Sequence, residues 1–159
     1  MWFVYDLKTM KNIYLLLLIA VFTAQCTGSA TTDDEIVKST AQEFAASFFN
    51  YDFSQAETLV TPESGCWVRY AASNVRQSDV DFFNTLESEA AADVVDIEWT
   101  NDTTARVGLE VSHVALRDSI EGAIHLVDNI SCTLDVVLRD GQALVRMASP
   151  LRSEKQSRD

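Results

Sequence analysis

The sequence predicts an α+β fold, with N-terminal helices packed on a curved antiparallel sheet. Apolar residues recur at helical spacing from Asp33 to about Glu89, then alternate with period two from Val95 to Met147. Asp140-Gly141, a strong hairpin signal, sits between two of the alternating runs. Helices first and a meander second is the pattern of a sheet covered on one face. The chain of 159 residues suits one such domain, and its 47% hydrophobic and 23% charged residues exclude a wholly disordered, collagen-like or multi-span membrane protein.

The first helix is expected from Asp33 to about Asn50, capped by Asp33 or Asp34. Ile36, Thr40, Phe44 and Phe48 repeat every four residues with Val37, Ala41 and Ala45 beside them, forming one apolar stripe. Asn50-Tyr51-Asp52 breaks it. Ser54 and Glu57 match a capping box for a short helix that buries Ala56, Leu59 and Val60. Thr61-Pro62-Glu63-Ser64 reads as another helix start, with Thr61 as cap and Pro62 at the first helical position, where its missing N–H costs nothing. A turn through Cys66, Trp67 and Tyr70 follows. Ser78-Asp79-Val80-Asp81 then opens a third helical piece holding Phe82, Phe83 and Leu86, its acidic residues favourable at the positive end of the helix dipole.

Val95, Ile97 and Trp99 next alternate with Asp96 and Glu98, and Asn101-Asp102 turns the chain. Ala105, Val107, Leu109, Val111 and His113 share the following strand's apolar face, opposite Arg106, Glu110 and Ser112. Gly122 to Val127 and Ser131 to Arg139 read as two further strands, the second with Cys132, Leu134, Val136 and Leu138 in register. The last strand carries Ala143, Val145 and Met147.

The order of a long amphipathic helix, Asn50-Tyr51-Asp52-Phe53, a short helix, Thr61-Pro62-Glu63-Ser64 and a four-stranded meander resembles the NTF2-like (cystatin-like) superfamily. Within it the chain is similar to small Bacteroidota lipoprotein domains of the DUF4878 and lumazine-binding-like kind, through Ala56 to Glu63 (AETLVTPE). The likeness covers Asp33 to Leu151. It implies a cone: a long helix across a bent sheet, with an open end that relatives use as a ligand pocket, an active site or a filled core. These motifs are structural, and they imply fold far more than function.

Ahead of the domain, Ile13 to Ala24 is an apolar run preceded by Lys8 and Lys11 and followed by small residues, the parts of a secretory signal peptide. It is shorter than the roughly 20 residues a spanning helix needs. Thr23-Ala24-Gln25-Cys26 resembles the lipobox of bacterial lipoproteins, although Gln25 and Thr23 depart from its usual residues. The expected organisation is therefore a lipoprotein signal peptide over 1–25, a tether over 26–32, the domain over 33–151 and a polar tail over 152–159. Cys26 would carry the lipid, placing the protein in a bacterial cell envelope, on the periplasmic side or the cell surface. Cleavage after Ala30 would instead give a secreted protein. Cys66 and Cys132 then remain as an even pair in an oxidising compartment. Their spacing leaves a disulfide and two buried thiols as equal alternatives.

Twelve Lys and Arg against 24 Asp and Glu give a net charge of −12, which excludes a nucleic-acid partner that needs a basic stripe. No nucleotide-binding glycine loop, HExxH or GxSxG is present, and the two histidines have no metal-ligand spacing, so neither cofactor nor metal is expected. Asp96, Glu98, Glu110 and Asp135 should all face outward, leaving the cone without a carboxylate base. Trp67, Tyr70, Trp99 and His113 are the residues expected to line its mouth. The leading expectation is thus an envelope lipoprotein that binds a small ligand or a protein without catalysis. The alternatives are an isomerase- or dehydratase-like enzyme with His113 as base, and an accessory subunit that forms a homodimer through its exposed sheet face.

Overall fold

Thr32 opens the first helix by a reciprocal exchange. Its hydroxyl accepts the Glu35 N–H at 3.3 Å, and the Glu35 carboxylate accepts the Thr32 N–H at 3.1 Å. Thr32 is therefore a helix cap rather than the end of a tether, and it displaces Asp33 and Asp34 from that role. The computed structural model describes residues 32–117 and 122–151. The expected signal peptide, Cys26 and the polar tail lie outside the described residues.

Helix α1 (Asp33–Phe49) buries Val37, Thr40, Ala41, Phe44, Ala45 and Phe49. The stripe thus follows the row through Val37, Ala41, Ala45 and Phe49, while Ile36 and Phe48 are partly buried at its borders. Asp52 caps α2 (Phe53–Thr58) through the Gln55 N–H at 3.1 Å, so the expected Ser54–Glu57 box is not used. Helices α3 (Gly65–Ser73) and α4 (Gln77–Phe83) complete the helical layer.

Thr61-Pro62-Glu63-Ser64 leads into α3 three residues later than expected, with Ser64 rather than Thr61 at the N-cap, and it also rivets the two layers together. The Thr61 N–H donates to Val145 O at 2.9 Å, and the Val145 N–H donates to Leu59 O at 2.8 Å. The buried Ser64 hydroxyl lies 2.7 Å from that of Thr61 and accepts the Met147 N–H at 2.9 Å. The segment consequently pairs with the sheet edge before the chain turns into α3, and that edge is closed to other strands.

The sheet is a meander in the order β1 (Ala91–Asn101), β2 (Thr104–Arg117), β3 (Ile124–Arg139) and β4 (Gln142–Arg146). The two runs expected as separate strands before Asp140 are one continuous β3, paired with β2 from Thr104–Val137 to Arg117–Ile124. Asp140 and Gly141 both take positive φ, +52° and +78°, as a two-residue hairpin turn with the right-handed strand twist requires.

Irregularities at Val95 and Thr100 in β1 and at His113 in β2 interrupt the sheet. Between the Val94–Leu109 and Asp96–Gly108 pairs β1 carries one extra residue, Val95, which is turned out to solvent at 61% exposure. The expected alternation therefore fails at Val95, while Ile97 and Trp99 keep their inward positions. In β2, His113 adopts φ +57° between the Ser112–Asn129 and Val114–Val127 pairs, so Val114 rather than His113 faces the core. The core itself lies between α1 and the sheet. Phe44 shares it with Val107, Leu109, Val111, Leu134, Val136 and Val145.

No disulfide joins Cys66 and Cys132. Cys66 is exposed on α3 and its thiol points to Glu63 O at 3.4 Å, whereas Cys132 is buried in β3 beside Leu109. A thiol on the outer helix surface and one on the inner sheet face point into different environments, and only Cys132 packs as a core hydrophobe.

Candidate functional site

The chain leaves α1 through Asn50, whose side-chain amide donates to Ala90 O at 2.9 Å and accepts the Ala90 N–H at 2.8 Å. This pins the C-terminus of α1 to the start of the sheet. The next residue, Tyr51, is forced to φ +63°. A non-glycine residue in the left-handed region costs about 1–2 kcal/mol, which the surrounding contacts must outweigh. Those contacts are aromatic: the Tyr51 ring stacks on Phe53 at 5.9 Å and lies 5.3 Å from Phe83. Phe48 meets Phe53 edge-on at 5.6 Å, continuing the aromatic wall.

This wall encloses a cleft of about 280 Å³, near the lower end of the size range of small-ligand sites. Phe48, Phe49 and Phe53 line one side, Ala71 and Val75 from the α3 region another, and Leu116 at the end of β2 a third. Its polar side chains are those of Tyr51, Tyr70, Asn74, Asp79 and Arg117. Asp79, 4% exposed, is ion-paired to Arg117 and also accepts the Arg76 N–H at 2.8 Å. Arg117 donates in addition to Gly122 O at 2.6 Å and to Ser78 Oγ at 3.4 Å. A guanidinium has five donors, so its Nε–H and one Nη1 hydrogen keep no partner among the described residues. The Tyr51 hydroxyl also has none there.

Burial pushes the Tyr51 phenol above its ordinary 10.0 and outweighs the Arg117 charge, which pulls the other way. Tyr51 is therefore protonated at neutral pH and is a hydrogen-bond donor rather than a base. A raised folded value means that the unfolded chain releases this proton first, so stability is intact below about pH 10 and falls above it. Denaturant midpoints should decline from about pH 10 upward, and Tyr51→Phe should flatten that part of the profile; an unchanged decline would contradict the burial of this phenol.

Of the four residues expected at the mouth, Tyr70 alone lines this cleft. Trp67 packs against the core and meets Tyr70 edge-on at 6.5 Å. Trp99 lies toward the other end of α1, about 25 Å away by helix rise, where its indole N–H donates to Asp34 at 2.7 Å. There it borders a wider depression of about 540 Å³ together with Asp33, Asp34 and Asp102. That depression is acidic and its single aromatic side chain is already bonded, so the smaller aromatic cleft is the better binding geometry. His113 is exposed and absent from the cleft, because the backbone reversal at that residue turns it off the inner face. Asp96, Glu98 and Glu110 are exposed, and Asp135 pairs with Arg106 at 3.7 Å and Arg146 at 3.5 Å.

Sequence reasoning missed Tyr51, Asp79 and Arg117 as site residues. An acidic residue in the first turn of a helix is ordinarily a dipole partner, and nothing local distinguishes Asp79 from Asp81. The one available signal was Asn50-Tyr51-Asp52, where a short polar turn keeps a large aromatic residue at its centre.

No family model matches the sequence, and no curated protein does. Among solved structures, the fold is similar to an NTF2-like protein involved in plasmid conjugation (12% identity, 72% of this chain, TM-score 0.38), of which the chain spans only 47%. It is also similar to Aln2 from a Streptomyces species (14% identity, 79% of this chain and 95% of that one, TM-score 0.43). A third is a putative polyketide cyclase from Xanthomonas campestris pv. campestris (14% identity, 73% and 93%, TM-score 0.33). The α+β class itself rests on the helices and four antiparallel strands of the structure.

Proposed function

We propose that this chain is a lipid-anchored protein of a bacterial cell envelope whose domain binds a small apolar ligand without turning it over. The supporting observation is the aromatic cleft at the C-terminal end of α1, whose lining carboxylate, Asp79, is already consumed by Arg117. A general base must be able to accept a proton near the operating pH. Among the described residues, an ion-paired aspartate and a protonated tyrosine leave the cleft without one, which favours recognition. The leader favours an envelope location, where an acidic domain keeps itself soluble beside the bilayer.

Two measurements test the two halves of this reading. Titrating 2-ethylnaphthalene into the intact chain, followed by its fluorescence, should show saturable binding that Ala71→Trp abolishes by filling the cleft. Binding that survives Ala71→Trp would contradict the site. In the native host, metabolic labelling with palmitate should mark the wild-type chain and not Cys26→Ser; undiminished labelling would contradict the anchor.

A further inference from the structure

We infer that the occupant of the aromatic cleft is a compact, planar apolar molecule carrying one uncharged oxygen acceptor, and that Tyr51 selects it. This rests on the ligand-binding reading above and adds the chemistry of the ligand. The volume of about 280 Å³ is too small to enclose a long acyl chain or a large polycycle and suits a two-ring molecule. Flat walls of Phe48, Phe53 and Tyr51 favour a ring system that can stack or meet them edge-on.

The polar groups decide the rest. The Tyr51 hydroxyl and the spare N–H groups of Arg117 are donors, and both residues line the same cleft. Both donors reach solvent through the cleft, and a ligand that displaces this water without offering an acceptor leaves them unpaired. Asp79 neutralises Arg117 at contact distance, so the cleft offers no net positive charge to hold a carboxylate. An anionic ligand would also place its charge beside that of Asp79. A carbonyl or ether oxygen meets the donors without this repulsion. The left-handed backbone at Tyr51 keeps the phenol in the wall although a glycine there would relieve the strain.

The test compares three near-isosteric probes on the intact chain: 2-acetylnaphthalene, 2-ethylnaphthalene and 2-naphthoate. The wild type should bind the ketone about tenfold more tightly than the hydrocarbon, the worth of roughly one buried hydrogen bond. Tyr51→Phe keeps the ring and should remove most of that preference by weakening ketone binding, leaving hydrocarbon affinity unchanged. Equal binding of ketone and hydrocarbon, both lost in Ala71→Trp, would overturn the ligand chemistry while the cleft remained a binding site. Tightest binding of 2-naphthoate would overturn it in favour of an anion. Binding of none of the probes, or binding indifferent to Ala71→Trp, would overturn the binding-site reading itself and this inference with it.

Discussion

Arg117→Met should destabilise the domain by about 3 kcal/mol, the low end of the cost of stranding one member of a buried ion pair. The Asp79 side chain is 5% exposed and that of Arg117 25%, so the aspartate would lose its counter-charge where water replaces it poorly. The Arg76 N–H at 2.8 Å would remain as partial compensation, which places the effect at the lower end of the range. The double variant Asp79→Asn/Arg117→Met should recover much of the loss, because it removes the stranded charge rather than its partner. Urea midpoints of the two variants decide this. A double variant no more stable than Arg117→Met would show that the arginine acts through its contacts to Gly122 and Ser78 instead. The pair also ties α4 to the end of β2, so the same variants should loosen the cleft and weaken probe binding.

Phe44→Ala should cost about 3–5 kcal/mol through lost apolar burial and the cavity left behind. Phe44 is fully buried at the centre of the helix–sheet core, and its ring lies 5.6 Å from Phe48. Against a total stability of about 5–15 kcal/mol, this loss leaves a marginal domain. The partly buried Phe82 supplies the control: Phe82→Ala should cost distinctly less in the same urea series. Comparable losses at the two positions would contradict the placement of the core under α1.

Much of this architecture is legible in the residues because it rests on local periodicity. The stripe through Val37, Thr40, Ala41, Phe44 and Ala45 and the alternation from Ala105 to Val111 are set by helix and strand geometry, whereas the burial of Phe49 in place of Phe48 is not. Asp140-Gly141 is equally local, since only residues that tolerate positive φ suit that turn. What escapes is whatever tertiary contact decides. Val95 is as apolar as its neighbours, and only its pairing with β2 makes it the extra residue of a bulge. His113 continues a perfect alternation until the backbone reverses beneath it. The rivet at Ser64 depends on Met147, 83 positions away, and the ion pair of Asp79 on Arg117 joins residues 38 positions apart. The candidate site was accordingly less legible than the fold, for its polar residues meet through tertiary contacts alone.

The most direct test of a binding cleft at the end of α1 is to map 2-acetylnaphthalene on the intact chain by chemical-shift perturbation. Shifts should concentrate at Phe48, Tyr51, Phe53, Ala71, Val75 and Leu116, and should disappear in Ala71→Trp. Shifts centred on Trp99 and Asp34, or spread over the outward residues Arg106, Glu110 and Thr133, would contradict it.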